Sequence, residues 1–160
     1  PGTGLAAGLG TRGHLVSISR LLPASGPASY DSARAAAAAA DLTLFAVAVR
    51  AREGAGSIAM PLSLAELING AGVRAMLVSF GSPYIITQVP EVSSFLIAWT
   101  VTSHSESAVA AALHGAPVTG RLPIEIPPRY RIGDGLMAGG RQRTDGRQTD
   151  RRTDGRTDGR

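Results

Sequence analysis

The sequence predicts an α/β fold, a three-layer α/β/α sandwich around a mostly parallel sheet. Residues 42–49 and 76–80 are almost continuously apolar, which is typical of strands covered on both faces of a parallel sheet. Segments that favour helix separate the predicted strands, and this alternation favours parallel pairing through right-handed crossovers. A chain of 160 residues is expected to build a single core.

The first 13 residues are predicted to form a flexible leader. They are rich in glycine, with a spacing loosely like that of a dinucleotide-binding loop: Gly2, Gly4, Gly8 and Gly10. A phosphate-binding loop of that kind requires a preceding strand and a following helix, and residues 1–13 offer no strand before the glycines. We therefore expect the folded domain to comprise residues 14–136.

The first half of the domain is predicted to contain two strands and two helices. Residues 14–20 form the first predicted strand and precede a helix with an alanine-rich second half, for which Ser29 or Asp31 is the expected N-cap. The second strand covers residues 42–49. Ser63 and Glu66 have the spacing of a capping box and predict a helix that ends near Asn69, before two glycines.

The central stretch is a buried strand, residues 73–80, that ends at the turn Gly81-Ser82-Pro83. Glycine adopts backbone angles forbidden to other residues, and proline fixes its own φ and favours extended geometry in the residue before it. The turn therefore lies at a carboxyl end of the sheet, where open α/β folds bind their ligands.

The remaining elements continue the same alternation. We expect a short helix over residues 85–89, a strand over residues 94–100 and a helix over residues 105–113. Residues 120–127 contain a proline near each end and are predicted to form a short edge strand.

Residues 137–160 are predicted to be a disordered tail. From Thr144 onward they repeat the unit Thr-Asp-Gly-Arg and contain no apolar residue that could offset the entropy of ordering. Residues 141–160 carry seven Arg and four Asp, so three of the four net positive charges of the chain lie there. Because the aspartates weaken the attraction for phosphates, we expect no nucleic-acid partner.

Composition excludes several classes of site. The chain has no cysteine and no lysine, which excludes disulfides, thiolate metal sites and the lysine-dependent phosphate loop. No apolar run reaches the roughly 18 residues needed to cross a bilayer, so no membrane partner is expected. The cellular compartment stays open.

Several segments, taken in chain order, resemble the C-terminal domain of glycoside hydrolase family 3. They are A-D-L-T-L-F-A-V-A-V at 40–49, M-P-L-S at 60–63, L-V-S-F-G-S-P-Y at 77–84, L-I-A-W at 96–99, G-R-L-P-I-E-I-P at 120–127 and Y-R-I-G-D-G-L at 130–136. The resemblance covers residues 14–136. Members of this family are β-glucosidases, β-N-acetylglucosaminidases and related exo-acting enzymes. The resemblance implies that a (β/α)₈ barrel precedes the domain and that the substrate is a carbohydrate.

The resemblance makes Glu53 the candidate catalytic residue. Retaining glycosidases use a nucleophile and an acid/base about 5 Å apart, and the resemblance implies that the nucleophilic Asp belongs to the barrel. The acid/base is a Glu of the C-terminal domain in β-glucosidase-like members, and a His of a barrel loop in many N-acetylglucosaminidase-like members. Glu53 lies in the loop where the first kind carries its Glu. The other interpretation is a solvated carboxylate, because Arg50 and Arg52 favour the charged form.

Other residues are weaker candidates. Ser82 lacks the second glycine of the G-x-S-x-G nucleophile motif, and Pro83 follows it. His104, Glu106 and His114 do not have the spacing of a metal site, so neither a metal nor a cofactor is expected. Trp99 could stack on a sugar, although its position in the run L-I-A-W-T indicates a core residue.

Two functions are therefore compatible with the sequence. One is a glycosidase half-domain that completes the active site of a barrel and is inactive alone. The other is a stand-alone α/β binding or scaffold module with its ligand at Gly81-Ser82-Pro83.

Overall fold

The computed structural model describes residues 1–49 and 59–136, and it confirms the α/β fold with a parallel sheet. Three strands, β1 (Thr43–Val47), β2 (Ala75–Ser79) and β3 (Ser94–Ile97), lie side by side in the order β1-β2-β3. Both pairings are parallel. Each strand is shorter than the sequence predicts, but all three lie within the predicted segments.

Helices cover both faces of the sheet, so the three-layer arrangement is also confirmed. The helices are α1 (Thr3–Gly10), α2 (Pro27–Ala39), α3 (Leu62–Gly70) and α4 (Ser103–Leu113), with 3₁₀ turns at Gly72–Arg74 and Pro83–Gln88. Helices α2 and α3 contact each other on one face, which we call face A. Helices α1 and α4 contact each other on the opposite face, which we call face B.

The core lies on both faces of β2. On face A, Leu77 is fully buried among apolar residues of α3 and of the Pro83–Gln88 turn, including Ile68 and Ile85. On face B, Val78 is fully buried among residues of α1 and α4, including Leu5 and Ala110. Consecutive residues of β2 therefore enter different apolar clusters, and this is why its sequence does not alternate.

Residues 1–13 are not the flexible leader that the glycine content suggested, because residues 3–10 of them form α1. Leu5 is 2% exposed in the face B cluster. The Glu106 carboxylate, at the start of α4, accepts hydrogen bonds from the backbone N–H groups of Gly2 (3.1 Å) and Leu5 (2.8 Å). A side chain from another helix thus caps α1, since no side chain near its own N-terminus does so.

The glycines of α1 allow its close approach to α4. A Cβ atom built on Gly8 would lie 2.9 Å from Cβ of Ala110, and one built on Gly4 would overlap the Glu106 carboxylate. Gly4 and Gly8 are one helical turn apart and therefore lie on the same side of α1. Gly4 and Gly8 therefore serve helix packing. Their spacing in the sequence does not show this role, because the role depends on the position of α4.

The strand predicted at residues 14–20 is absent from the structure. These residues have no regular secondary structure and are all exposed, with Leu15 and Ile18 at 104% and 55% exposure. The residue types are those of a strand, but a strand needs backbone partners, and none of the described residues pairs with this segment in the sheet.

The edge strand predicted at residues 120–127 is also absent. Leu122 and Ile126 are buried in the face A cluster, as a strand would require. Their backbones bond to the segment that follows: Leu122 N–H donates to Asp134 O (2.8 Å) and Ile126 N–H to Tyr130 O (2.9 Å). Three nearby prolines lack the N–H donor that a sheet ladder needs, so the chain folds back on itself.

Helix starts also differ from the expected caps. Gly26 precedes α2, so neither Ser29 nor Asp31 is the N-cap. Pro61 precedes α3, and no side chain caps that helix, so the Ser63–Glu66 capping box does not form. Helix α4 has a side-chain cap, in which the Thr102 hydroxyl accepts from the Ser105 N–H at 3.0 Å.

Two predictions fall outside the described residues. Glu53 belongs to residues 50–58, and the tail of Thr-Asp-Gly-Arg repeats belongs to residues 137–160. Within the described ranges, no helix combines the length and apolar character needed to cross a membrane.

The α1–α4 contact makes a prediction for Gly8→Leu. The added side chain has to displace Ala110, so the free energy of unfolding should fall by about 1–3 kcal/mol. Gly10→Leu is the matched control, because a Cβ at Gly10 meets no atom within 4 Å. Urea denaturation of both variants tests this, and an equal effect of the two substitutions would contradict the packing role of Gly8.

Candidate functional site

An open cleft of about 490 Å³ lies at the carboxyl ends of the strands. Its walls come from the ends of all three strands and from the segment after α4. The lining residues are Val49, Phe80, Gly81, Ser82, Pro83, Tyr84, Trp99, Thr100, Val101 and Ile124. The structure thus places a cleft at the predicted Gly81-Ser82-Pro83 turn, on the side of the sheet where α/β folds bind ligands.

The floor of the cleft depends on close contact between the chain segments that follow β1 and β2. Phe80 N–H donates to Val47 O at 2.8 Å, and Ser82 N–H donates to Val49 O at 3.4 Å. Between these bonds, a Cβ atom on Gly81 would overlap the Val49 carbonyl. Gly81 is therefore required by close backbone approach.

Ser82 orders the turn and is not poised as a nucleophile. Its side-chain oxygen accepts the Tyr84 N–H at 3.3 Å and caps the Pro83–Gln88 turn. Its backbone carbonyl accepts the hydroxyl of buried Ser79 at 2.8 Å. Both bonds serve the local backbone, in agreement with the absence of the G-x-S-x-G motif.

Trp99 does not lie in the core, contrary to the interpretation favoured by its apolar neighbours. It is 47% exposed and lines the cleft. Its φ is +61°, and it is the one non-glycine residue in the described ranges with a positive φ. Thr100 N–H donates to Ala98 O at 2.7 Å, so Trp99 is the central residue of a γ-turn of the rare, strained type.

The strained γ-turn directs the indole ring of Trp99 away from the sheet. In an undistorted strand, Trp99 would continue the alternation of β3 and would point toward one of the two helical layers. Strain at a non-glycine residue persists where surrounding structure holds it, and it is frequent at ligand sites. The γ-turn is therefore the feature that gives the cleft an exposed aromatic ring.

The cleft offers aromatic and apolar surface with few polar groups. Tyr84 is 44% exposed and supplies a second ring, while Ser82 and Thr100 add hydroxyl groups. Its described lining contains no carboxylate and no imidazole. A lining of aromatic rings, apolar side chains and a few hydroxyls suits a ligand that has one apolar face.

The other candidate side chains do not converge. Glu106 caps α1 and is 8% exposed, His104 is exposed at the start of α4, and His114 contacts the His14 ring at 5.8 Å between centroids. In the described part of the chain, no group of three or more His, Cys, Asp or Glu side chains could hold a metal ion.

Tyr84 and Thr100 line the cleft, and sequence reasoning singled out neither residue. For Tyr84 a signal can be identified. The signal was present, because an aromatic residue directly after a Gly-Ser-Pro turn lies beyond the end of the buried strand.

Comparison with known protein families, with characterised proteins and with solved structures gives no match to this chain.

Gly81→Ala should separate the segments that follow β1 and β2. The added methyl overlaps the Val49 carbonyl, so we expect the free energy of unfolding to fall by about 1–3 kcal/mol. Gly70→Ala is the control, since a Cβ there meets no atom within 4 Å. Thermal unfolding of both variants measures the difference, and an unchanged Gly81→Ala midpoint would show that the contact is not required.

The strain at Trp99 predicts that glycine gives a more stable protein than alanine at this position, which reverses the usual order. Trp99→Gly should be more stable than Trp99→Ala by about 1 kcal/mol, because glycine tolerates positive φ. The same pair of substitutions at Tyr84, which lies in the Pro83–Gln88 turn, should show the opposite order. Denaturant unfolding of the four variants tests both signs, and the same order at the two positions would refute the γ-turn.

Proposed function

We propose that this chain is the C-terminal domain of an exo-acting β-glycosidase of the family 3 type. In this proposal it packs against a (β/α)₈ barrel and closes one side of the sugar pocket. The observation that carries the proposal is the cleft at the carboxyl edge of the sheet, with two half-exposed aromatic rings and no carboxylate or imidazole in its described lining.

The aromatic rings suit a carbohydrate ligand. A pyranose presents C–H groups on one face and hydroxyls around its rim, so an aromatic ring can cover the face while polar groups bind the rim. Trp99 and Tyr84 supply rings, and Ser82, Thr100 and Tyr84 are the described lining residues whose side chains carry hydroxyl groups. An open cleft of this size leaves room for a second wall from the partner domain.

A half-domain is expected to lack part of the catalytic machinery of the whole enzyme. Glycoside hydrolysis with retention needs two reacting groups about 5 Å apart, and the described lining provides neither. The nucleophilic Asp is proposed to come from the barrel. Glu53 stays the candidate acid/base, and it is four residues after Val49, which lies in the cleft wall.

The proposal is tested by supplying the barrel. The chain alone, a family 3 barrel domain alone, and a fusion of the barrel to Pro1 are assayed on 4-nitrophenyl β-glucoside and 4-nitrophenyl β-N-acetylglucosaminide. We expect turnover with the fusion and none with either part. Turnover by the purified 160-residue chain, or a fusion no more active than the barrel, would refute the proposal.

Variants of the fusion then separate the roles of the residues. Trp99→Ala should raise KM by about tenfold or more, equivalent to roughly 1.4 kcal/mol of lost binding. Leu62→Ala is the control, because Leu62 is 74% exposed and does not line the cleft. Glu53→Gln should lower kcat at least about a hundredfold if Glu53 is the acid/base, and unchanged turnover and pH profile would exclude that role.

The stand-alone binding module is distinguished by the chain itself. Trp99 is the one tryptophan in the sequence, so its fluorescence reports directly on the cleft. A titration with cellobiose and chitobiose that saturates at micromolar concentration would favour an independent binding module. Weak or undetectable binding, together with an active fusion, would favour the half-domain.

A further inference from the structure

Strand β1 lies at an edge of the sheet, although its surroundings resemble those of an interior strand. Val47 O accepts from Phe80 N–H, so Val47 directs its backbone groups toward β2, and the alternate residues Leu44 and Ala46 direct theirs away from it. Among the described residues, no strand pairs with this outer side. Yet β1 has helix α1 near one face and α2 near the other, as an interior strand does.

Residues 14–20 pass this edge in the direction of a parallel strand. His14 contacts His114, at the C-terminal end of α4 on face B. Leu21 packs against the apolar cluster of α2 and α3 on face A, and Phe45 of β1 packs against the same cluster. Arg20 donates to the hydroxyl of Thr3, at the N-terminal end of α1 (3.2 Å). In parallel α/β units, helix C-termini lie at the amino ends of strands and helix N-termini at the carboxyl ends, so the segment runs the same way as β1.

The handedness of crossovers determines where a strand before α1 must lie. About 98% of parallel crossovers are right-handed, so crossovers on opposite faces move the chain in opposite directions across the sheet. The chain moves from β1 through α3 to β2 on face A. Helix α2 lies on the same face, which places residues 14–20 on the outer side of β1.

Helix α1 lies on face B, so a strand connected to its N-terminus lies on the β1 side of residues 14–20. If residues 14–20 were next to β1, no position would remain for that strand there. Their lack of pairing and high exposure instead indicate an open position between them and β1.

We propose that the outer edge of β1 receives a parallel β-strand from polypeptide joined to the N-terminal side of Pro1. This strand pairs with β1 on one side and with residues 14–20 on the other. Because α1 and α2 would cover its two faces, it is an apolar strand without proline, of about five or six residues. The inference does not depend on the proposed glycosidase function.

The proposal has a functional consequence. The added strand and β1 would be followed by crossovers on opposite faces, and the position between them is then a topological switch point. Ligand crevices in open α/β sheets form at such points, outside the carboxyl ends of the strands. The crevice would begin beside Val49, at the existing cleft.

The test is an N-terminal extension of the full chain. Six residues of alternating Val and Ile, followed by a four-residue Gly-Ser loop, are added before Pro1, since βα loops are commonly about two to six residues long. The control extension has proline at alternate strand positions, which removes the N–H donors. Amide hydrogen exchange by NMR is compared for the chain and both extensions.

We expect the apolar extension to slow exchange at Leu44 and Ala46 by at least about tenfold, and to slow it at residues 15–19 as well. The proline extension should slow neither. Phe95 and Ile97, whose backbone groups face away from β2 on the opposite edge, should not change. Ala98 N–H donates to Ser79 O, which fixes this alternation along β3.

Other outcomes would overturn the proposal. Slowed exchange at Phe95 and Ile97 alone would place the strand at the wrong edge, and no change at Leu44 and Ala46 would mean that the edge of β1 does not accept a strand. Ile18→Pro gives a second check: it should leave the melting temperature of the unextended chain unchanged, because Ile18 is exposed, and remove the protection of residues 15–19 in the extended chain. Protection that survives Ile18→Pro would exclude pairing with this segment.

Discussion

The burial of β2 on both faces is the constraint on which the rest of the molecule depends. Leu77 and Val78 are adjacent in sequence, fully buried, and belong to different apolar clusters. A strand with two buried faces requires a helical layer on each side, and parallel neighbours with crossover connections provide those layers. The positions of α1, α3 and α4 all follow from covering this strand.

The cleft follows from how the strands end. Gly81 brings the chain after β2 against the Val49 carbonyl, and the γ-turn at Trp99 redirects the chain after β3. These two departures from regular geometry occur side by side, and together they expose two aromatic rings above a backbone floor. The strain at Trp99 lowers stability in exchange for a surface that an undistorted strand would not present.

Helix α1 forms although its own sequence disfavours a helix. Gly4 and Gly8 disfavour helix in isolation, yet they allow α1 to approach α4, and the Glu106 carboxylate supplies the N-terminal cap. Helix α1 therefore depends on a tertiary contact for its stability. The position of α1 on face B is also what implies an open strand position next to β1.

The sequence by itself determined the fold class, the three strands that formed and the position of the Gly81-Ser82-Pro83 turn at the carboxyl edge of the sheet, because continuous apolar runs and a Gly-Ser-Pro turn act through local geometry and burial. It also identified residues that tend to form strands at 14–20, and most of the helical segments. It did not reveal α1 or the exposure of Trp99. These features depended on the tertiary structure. A glycine-rich helix forms only where a partner helix packs against it, and a strand forms only where a neighbouring strand pairs with it. The strained backbone angles of Trp99 persist only where adjoining segments hold them.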